Sequence, residues 1–188
     1  YVVIPKFSWP SSGGQITVAF WSKQATPQVV GSSSAFSVGN SDDQSNRFQA
    51  HVPNGAGDKT IYWDYGNINT NGRISTAYTN YFDKWTFITL VSNGNGGTFK
   101  GIYLDGVLVA SSTISDGPDI ALTNLTIGDF KSQHLYHNGT IDEFAMWNRS
   151  LSATEIANLY SLSYRKYFWK ANATDSAANV NTTPIQEF

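Results

Sequence analysis

The chain has 188 residues, of which 40% are hydrophobic, so it is long and apolar enough to bury the core of one domain. Charged residues make up only 14% and the formal net charge is −2, with the basic residues dispersed, which excludes nucleic-acid binding through a basic surface. There are no cysteines, which excludes disulfides and thiolate metal sites, and no apolar run reaches the roughly 18 residues that a membrane span needs.

Short alternating runs separated by turn residues predict β-strands along most of the chain. The first, Tyr1–Ile4, ends at Pro5, and because the chain starts there without a methionine we expect a mature or excised piece of a longer polypeptide. The run Gln15–Ser22 places Ile16, Val18 and Phe20 on one face. Further strands are predicted at Ala35–Val38, Arg47–Val52, Thr60–Tyr65, Ile74–Tyr78, Lys84–Ser92, Phe99–Leu104, Val107–Ser111, Leu125–Asp129 and Thr140–Trp147.

Two local sequence patterns predict a turn and a helix. The pair Asp105 and Gly106 lies between two apolar runs and predicts a type I′ hairpin, whose central residues both need positive φ. Ser152 and Glu155 form a capping box, followed by apolar residues at helical spacing. We therefore predict a short helix at Ser152–Leu162.

Many short strands followed by one late helix predict an all-β fold of two packed antiparallel sheets. We assign residues 1–162 to this sandwich and residues 163–188 to a closing strand plus a C-terminal tail or linker. The closing strand is predicted at Tyr164–Trp169. The stretch Ala171–Phe188 is polar and weakly patterned, with too few apolar residues to fold alone.

A set of linked motifs resembles one known family. The motifs are TVAFWSK, FSVGN, W-x-F-x-x-L-V at Trp85–Val91, IYLDGVLVAS at Ile102–Ser111, LTIGD at Leu125–Asp129 and GTIDEFAMWNRSLSATEIANLY at Gly139–Tyr160. Together they resemble the laminin-G-like jelly-roll domains of the concanavalin A-like superfamily, over about Tyr1 to Tyr160. The resemblance implies a two-sheet jelly-roll sandwich with a role in adhesion, carbohydrate or protein recognition, or assembly. Family members usually have a Gly-Asp or similar pair before the strand that matches Tyr1–Pro5, and this chain begins after that pair.

Glucanases of the same superfamily carry E-I-D-x-x-E or E-I-D-x-E on one strand, with two carboxylates about 5–5.5 Å apart for a retaining mechanism. In this chain Thr140 stands at the position of the nucleophile and Phe144 at that of the acid. No nucleophile elbow, P-loop or dinucleotide-binding motif occurs either. We therefore predict that the chain is not an enzyme.

Asp142 is the candidate metal ligand, because related sandwiches often bind a calcium ion at a sheet edge through carboxylates and backbone carbonyls. The alternative is that Asp142 accepts hydrogen bonds from the local backbone. Asp42 and Asp43 form a second oxygen-rich cluster, for which a solvated loop is the favoured interpretation. His134 and His137 are also interpreted as solvated loop residues, since their spacing would suit a metal only in a helical turn.

Sugar binding needs exposed flat rings with polar side chains beside them. Three tryptophans in apolar runs are predicted to be core residues: Trp21, Trp85 and Trp147. The strand Thr60–Tyr65 places Tyr62 and Asp64 on the face opposite Trp63, and Tyr78, Tyr81 and Phe82 occupy a turn-like segment in which exposure is plausible. The predicted ligand contacts are Tyr62, Asp64, Tyr81 and His134. Burial of the rings in the core is the alternative.

Five N-x-S/T sequons favour a glycosylated protein outside the cell or at a cell or virion surface, although a chain rich in Asn, Ser and Thr also produces sequons by chance. The candidate sites are Asn124, Asn138, Asn148, Asn172 and Asn181. The leading hypothesis is an extracellular recognition or adhesion module that binds a glycan or a protein partner, with structural calcium as its candidate cofactor. The alternative is a structural or decoration subunit of a virion, pilus or filament that self-assembles through sheet edges and the C-terminal tail. A glycan-cleaving enzyme is the least favoured.

Overall fold

The computed structural model describes residues 1–9, 13–25, 33–39, 42–55, 57–130 and 135–163, and the short segments 168–169, 172–174, 180–182 and 186–187. At residues 6–9 and beyond residue 163 the description covers the backbone alone. One sheet has six strands, in the order β1 (Val2–Trp9), β10 (Leu122–Ile127), β3 (Ser34–Val38), β4 (Arg47–Asn54), β5 (Thr60–Gly66) and β6 (Arg73–Ala77). The other has five, in the order β11 (Gly139–Trp147), β2 (Ile16–Gln24), β7 (Thr86–Ser92), β8 (Lys100–Leu104) and β9 (Val107–Ser112).

All neighbouring strands pair antiparallel, and the inward faces of the two sheets form an aromatic core. Phe20 of the five-stranded sheet meets Phe36 of the six-stranded sheet edge to face at 6.2 Å, and Phe36 also contacts Phe48 and Trp63. Ile16, Val18 and Phe20 all belong to this core, as their alternation predicts. The predicted two-sheet jelly-roll sandwich is confirmed.

The helix α1 (Ala153–Ser163) covers the outer face of the five-stranded sheet. Ser152 is its N-cap, since the Glu155 N–H donates to the Ser152 hydroxyl at 3.3 Å and the Ser152 N–H donates to the Glu155 carboxylate at 2.8 Å. The predicted helix is therefore confirmed, displaced by one residue. Ile156 is fully buried, and Tyr160 packs on Trp21 and Phe87.

The predicted hairpin is confirmed, since φ is 51° at Asp105 and 78° at Gly106 between β8 and β9. The strand predicted to end at Pro5 instead continues to Trp9. It lies at the edge of its sheet and is irregular between Ile4 and Ser8, where a missing N–H donor is tolerated. In the described part of the chain no helix is long and apolar enough to cross a membrane.

The C-terminal segment pairs with itself instead of joining either sheet of the sandwich. β12 (Phe168–Trp169) pairs with β15 (Gln186–Glu187), and β13 (Asn172–Thr174) pairs with β14 (Val180–Thr182) between them. Of the predicted closing strand Tyr164–Trp169, residues 168–169 form β12, and residues 164–167 lie outside the described residues. The division of the chain at residues 162 and 163 stays a prediction.

Candidate functional site

A pocket of about 280 Å³ opens at one end of the outer face of the five-stranded sheet. We call it the Trp85 pocket, and it is lined by Trp21, Trp85, Asp142, Glu143 and Ser163. The register of the strands brings two of these residues together, since Asp142 of β11 pairs with Trp21 of β2. Residues directly opposite on neighbouring strands share one face of the sheet, so these two side chains are brought together. Ser163 is the last residue of α1 and closes the pocket on its helix side.

The two aromatic rings of the pocket differ in exposure. Trp21 is 9% exposed, because Phe87 and Tyr160 pack on it with ring centroids at 5.3 and 5.9 Å. Trp85 lies just before β7 and is 44% exposed. Among the described residues its indole N–H has no hydrogen-bond partner. The pocket thus offers a fixed ring and an accessible ring with a free donor.

The two carboxylates of the pocket lie at a bulge. The pairing of β11 with β2 shifts register between Asp142 and Ala145, and Glu143 adopts a φ of 49°. The Glu143 N–H donates to Asp142 Oδ1 at 2.8 Å, which fixes the turn. Both side chains are exposed. A β-bulge re-aims side chains, and here it presents two acidic groups beside the exposed ring.

Trp85 was predicted to be a core residue, and that prediction is wrong. Both faces of the strand Thr86–Ser92 are buried, and Ile88 and Leu90 face the core between the two sheets. Trp85 is out of phase with them, like Phe87, and therefore lies on the opposite face, beyond the end of the helix. The phase of the alternation could have placed Trp85 on the outer face, but it could not have shown its exposure, since Phe87 has the same phase and is buried. Glu143 and Ser163 were also missed, since the sequence gives no sign of the bulge or of how far α1 extends over the sheet.

Asp64 was predicted to lie at the surface, and this is corrected because its side chain is fully buried. The Arg73 guanidinium donates to both of its oxygens at 2.6 Å, Arg47 lies 3.5 Å away, and Gln49 Nε2 donates to it at 2.9 Å. A buried carboxylate needs such partners to offset its lost hydration. Asp64 is therefore held as the centre of an ion-pair network on the outer face of the six-stranded sheet.

Tyr62 lies on the same face as Asp64, as predicted, and is half-buried. Its hydroxyl donates to Asp58 at 2.9 Å, which raises the pKa of Tyr62, and the Arg73 guanidinium lies 4.7 Å from its ring. These contacts occupy both its hydroxyl and one ring face. Its role in ligand binding stays a prediction.

Tyr81 belongs to a different cluster. It is half-buried, stacks on Tyr78 at 5.4 Å and lies under the Lys84 ammonium at 4.8 Å. Tyr78 itself was expected to be exposed but is fully buried, and burial raises its pKa to about 12. His134, the fourth predicted contact, lies outside the described residues.

A buried histidine extends the network around Asp64. Gln49 Nε2 donates to His51 Nε2 at 2.9 Å, so the ring proton resides on Nδ1 and is donated to the Ser34 hydroxyl at 3.0 Å. Burial lowers the pKa of His51 to about 4, which keeps the ring neutral at physiological pH. Nothing in the sequence indicated that these polar residues would be enclosed.

Asp142, the predicted calcium ligand, has one acidic neighbour in the Trp85 pocket. Glu143 supplies a second carboxylate, but the described residues gather no group of three acidic or histidine side chains around a common point. Calcium takes six to eight oxygen ligands, which can include backbone carbonyls, so calcium binding at Asp142 stays a prediction. The local hydrogen bond from the Glu143 N–H to Asp142 matches the alternative interpretation of this residue.

The predicted glycosylation sites differ in accessibility. Asn138 and Asn148 are exposed, whereas Asn124 is half-buried with a φ of 66°. Asn172 and Asn181 lie in the paired strands β13 and β14.

Asp43, a member of the predicted oxygen-rich cluster, accepts hydrogen bonds from the Asn46 side chain and the Ser45 N–H, which lower its pKa. Both of its oxygens are therefore used within the turn.

Thr140 and Phe144 occupy the positions at which related glucanases carry their carboxylates. Thr140 is exposed. Phe144 stacks on Phe20 at 5.7 Å and meets Phe36 edge to face at 5.4 Å, so it belongs to the aromatic core. A carboxylic acid at position 144 would have to lie among these rings without a polar partner.

The chain is similar in structure to binding domains of botulinum neurotoxins. The binding domain of botulinum neurotoxin serotype D is 19% identical with a TM-score of 0.61, covering 89% of this chain and 49% of that one. The serotype G binding domain is 18% identical with a TM-score of 0.60, covering 89% and 44%. The binding domain of botulinum neurotoxin DC, solved in complex with rat synaptotagmin II, is 17% identical with a TM-score of 0.57, covering 85% and 42%.

This chain spans less than half the length of these toxin domains, and at such identities the likeness shows a shared fold alone. A comparison with curated proteins finds no significant match. Residues 1–157, more than four fifths of the chain, match the profile of the Laminin_G_3 family. With its sandwich, its helix and this match, the chain belongs to the laminin G-like family of the concanavalin A-like lectin/glucanases superfamily.

Proposed function

We propose that this chain is a non-catalytic recognition module that binds glycans outside the cell or at a cell or virion surface. The observation that carries the proposal is the Trp85 pocket, in which a 44% exposed indole lies beside two exposed carboxylates. Flat rings stack on the apolar faces of sugar rings, while carboxylates accept hydrogen bonds from hydroxyl groups.

The absence of catalysis is supported by the residues on β11. Retaining and inverting glycosidases both need two carboxyl groups across the scissile bond. Thr140 cannot supply one, and the Phe144 side chain packs against Phe20 and Phe36. Asp142 and Glu143 are consecutive residues held by a local hydrogen bond, and we assign them to ligand binding.

The fold neighbours give the proposal further support. One of them comes from work on botulinum neurotoxin type C, whose cell entry is described as dependent upon interaction with two ganglioside molecules. It is 17% identical with a TM-score of 0.58, covering 83% of this chain and 38% of that one. A protein that contains this fold therefore depends on glycans for its own function. Carrying that use over to this chain is part of the proposal.

The test is a glycan array probed with the purified chain, followed by incubation of each bound glycan with the chain and an assay for released reducing ends. We expect binding to a defined set of glycans and no release. Failure to bind any glycan would overturn glycan recognition. Release of reducing ends that disappears in Glu143→Gln would overturn the non-catalytic part.

A second candidate function, a subunit of a surface assembly, is favoured by the edge strand β1. This strand pairs with β10 on one side and has no partner strand on the other within the described chain. Val2, Val3 and Ile4 are 59%, 37% and 40% exposed. An exposed apolar edge can pair with a strand of another subunit.

A further inference from the structure

The chemistry of the Trp85 pocket narrows the glycans that it can accept. We propose that this pocket binds an uncharged monosaccharide unit, with one sugar face on the Trp85 indole, and excludes sialylated, sulfated or uronic acid residues. This inference rests on the proposed glycan-binding function. It deepens that function by naming the residues of the site and the class of sugar.

The pocket size sets the size of the bound unit. At about 280 Å³ it lies just below the roughly 300–1,000 Å³ range of small-molecule sites. It therefore accommodates one sugar ring and leaves the rest of a longer glycan outside. Trp21 is fixed by Phe87 and Tyr160, so the floor is rigid, while the exposed Trp85 offers the larger stacking surface.

The polar groups of the pocket match a polyol. The Trp85 indole N–H is a donor without a partner among the described residues, and the Ser163 hydroxyl donates to the Tyr160 carbonyl, which leaves its lone pairs free to accept. Asp142 and Glu143 add acceptors for two or more sugar hydroxyls. A saccharide ring carries both donors and acceptors on its rim, so it can satisfy all of these groups at once.

The charge of the pocket determines what it excludes. Neither Asp142 nor Glu143 forms a salt bridge with another residue in the described part of the chain, so the described lining of the pocket carries negative charge. A ligand carboxylate or sulfate within about 4 Å of such a pair is repelled enough to weaken binding by roughly tenfold or more. An acidic sugar would also leave the carboxylates without donors.

The presentation of Glu143 is built into the strand. Its φ of 49° is a conformation that residues with a side chain seldom adopt, and the hydrogen bond from its N–H to Asp142 holds it there. Without the bulge, residues 142 and 143 would point to opposite faces of the sheet. The bulge allows both carboxylates to line one pocket.

The experiment compares the wild type with Trp85→Ala, Trp85→Phe and the double variant Asp142→Asn, Glu143→Gln. Tyr136→Ala is the matched control, since Tyr136 is a 53% exposed aromatic residue that does not line the pocket. Each protein is applied to an array that holds neutral glycans and their sialylated and sulfated counterparts. The strongest neutral glycan is then titrated into ¹⁵N-labelled protein while the indole N–H resonances are followed.

We expect neutral glycans to bind and their acidic counterparts to bind at least tenfold more weakly. Trp85→Ala should lose at least tenfold in affinity, Trp85→Phe should retain part of it, and Tyr136→Ala should match the wild type. The double variant Asp142→Asn, Glu143→Gln should reduce the difference in affinity between neutral and acidic glycans. The indole resonance that is missing from Trp85→Ala should shift on titration.

The outcomes separate this inference from the proposed function. Glycan binding that all pocket variants retain would overturn the assignment of this site and leave the function intact. Preferred binding of sialylated or sulfated glycans would overturn the sugar class. A chain that binds no glycan would overturn both. Circular dichroism of each variant identifies any loss of binding that comes from unfolding.

Discussion

Lys100 is a fully buried lysine between the two sheets. Its ammonium group donates to the carbonyl of Tyr65 at 3.2 Å and to that of Gly72, and it lies 5.3 Å from the Trp63 ring. Burial lowers its pKa from an ordinary 10.5 to about 7. Its protonation therefore couples the stability of the sandwich to pH.

The sign of that coupling follows from the two pKa values. Between pH 7 and about 10 the unfolded chain holds the proton and the folded chain does not, so stability rises with pH. We expect the free energy of unfolding of the wild type, relative to Lys100→Met, to increase by a few kcal/mol, on the order of 4 at most, across this range. Urea denaturation at pH 6, 8 and 10 measures it. Lys23→Met, which removes an exposed lysine, should follow the wild type, and equal slopes for all three proteins would contradict the prediction.

The burial of individual polar side chains is the feature of the fold that the sequence predicts least well. Alternation correctly put Tyr62 and Asp64 on the face opposite Trp63, because side-chain direction in a strand has a period of two. It could not show that Arg47, Gln49 and His51 on the neighbouring strand would enclose Asp64. Burial of the second face depends on what covers it, and that information is spread over distant parts of the chain.

At the scale of elements, α1 is fixed by local chemistry and by packing. Its first turn is closed by the Ser152 capping box, and the Arg149 guanidinium donates to Glu155 at 2.6 Å, a bond that lowers the pKa of Glu155 to about 2. Its apolar face supplies Ile156 and Tyr160 to the outer face of the sheet. Both signals lie within twelve residues, which explains why the sequence predicted the helix to within one residue.

Removal of the N-cap should destabilise the whole domain. We expect Ser152→Ala to lower the free energy of unfolding by about 1 kcal/mol, because the Glu155 N–H loses its acceptor. Chemical denaturation followed by circular dichroism measures the change. Ser161→Ala makes the same chemical change in the exposed interior of the helix and should be neutral or slightly stabilising. An equal loss in both variants would show that the cap contributes nothing specific.

The bulge in β11 shows the limit of prediction for elements. A strand was predicted at Thr140–Trp147 and is present, but the pattern of residues did not indicate that Glu143 would take a positive φ. Glutamate is not a residue that favours this conformation, unlike the glycine of the Asp105–Gly106 hairpin. The Asp105–Gly106 pair is a turn signal, so the hairpin was predictable. No such signal marks Glu143, so the bulge was not. As a result the pocket carboxylates were not predicted together.

At the scale of the whole molecule, the Trp85 pocket and the exposed apolar edge belong to different sheets of the sandwich. The Trp85 pocket lies on the outer face of the five-stranded sheet, beside the C-terminal end of α1. The exposed apolar strand β1 is an edge of the other sheet. The two-sheet architecture was predictable because many strands contribute small, consistent signals to it. A pocket depends on a few residues from three elements, so one unexpected bulge is enough to hide it.

The exposed edge of β1 predicts weak self-association of the isolated chain. Val2, Val3 and Ile4 present apolar side chains next to an edge without a partner strand in the described chain, and edge pairing with a second copy would bury them. We expect the weight-average mass in sedimentation equilibrium to rise between micromolar and several hundred micromolar protein. Val3→Lys should keep the chain monomeric, since a charged residue at an edge opposes pairing. Ile120→Lys adds the same charge at an exposed loop residue and should associate like the wild type. A wild type that stays monomeric throughout would remove the main support for the assembly function and leave recognition as the role of the domain.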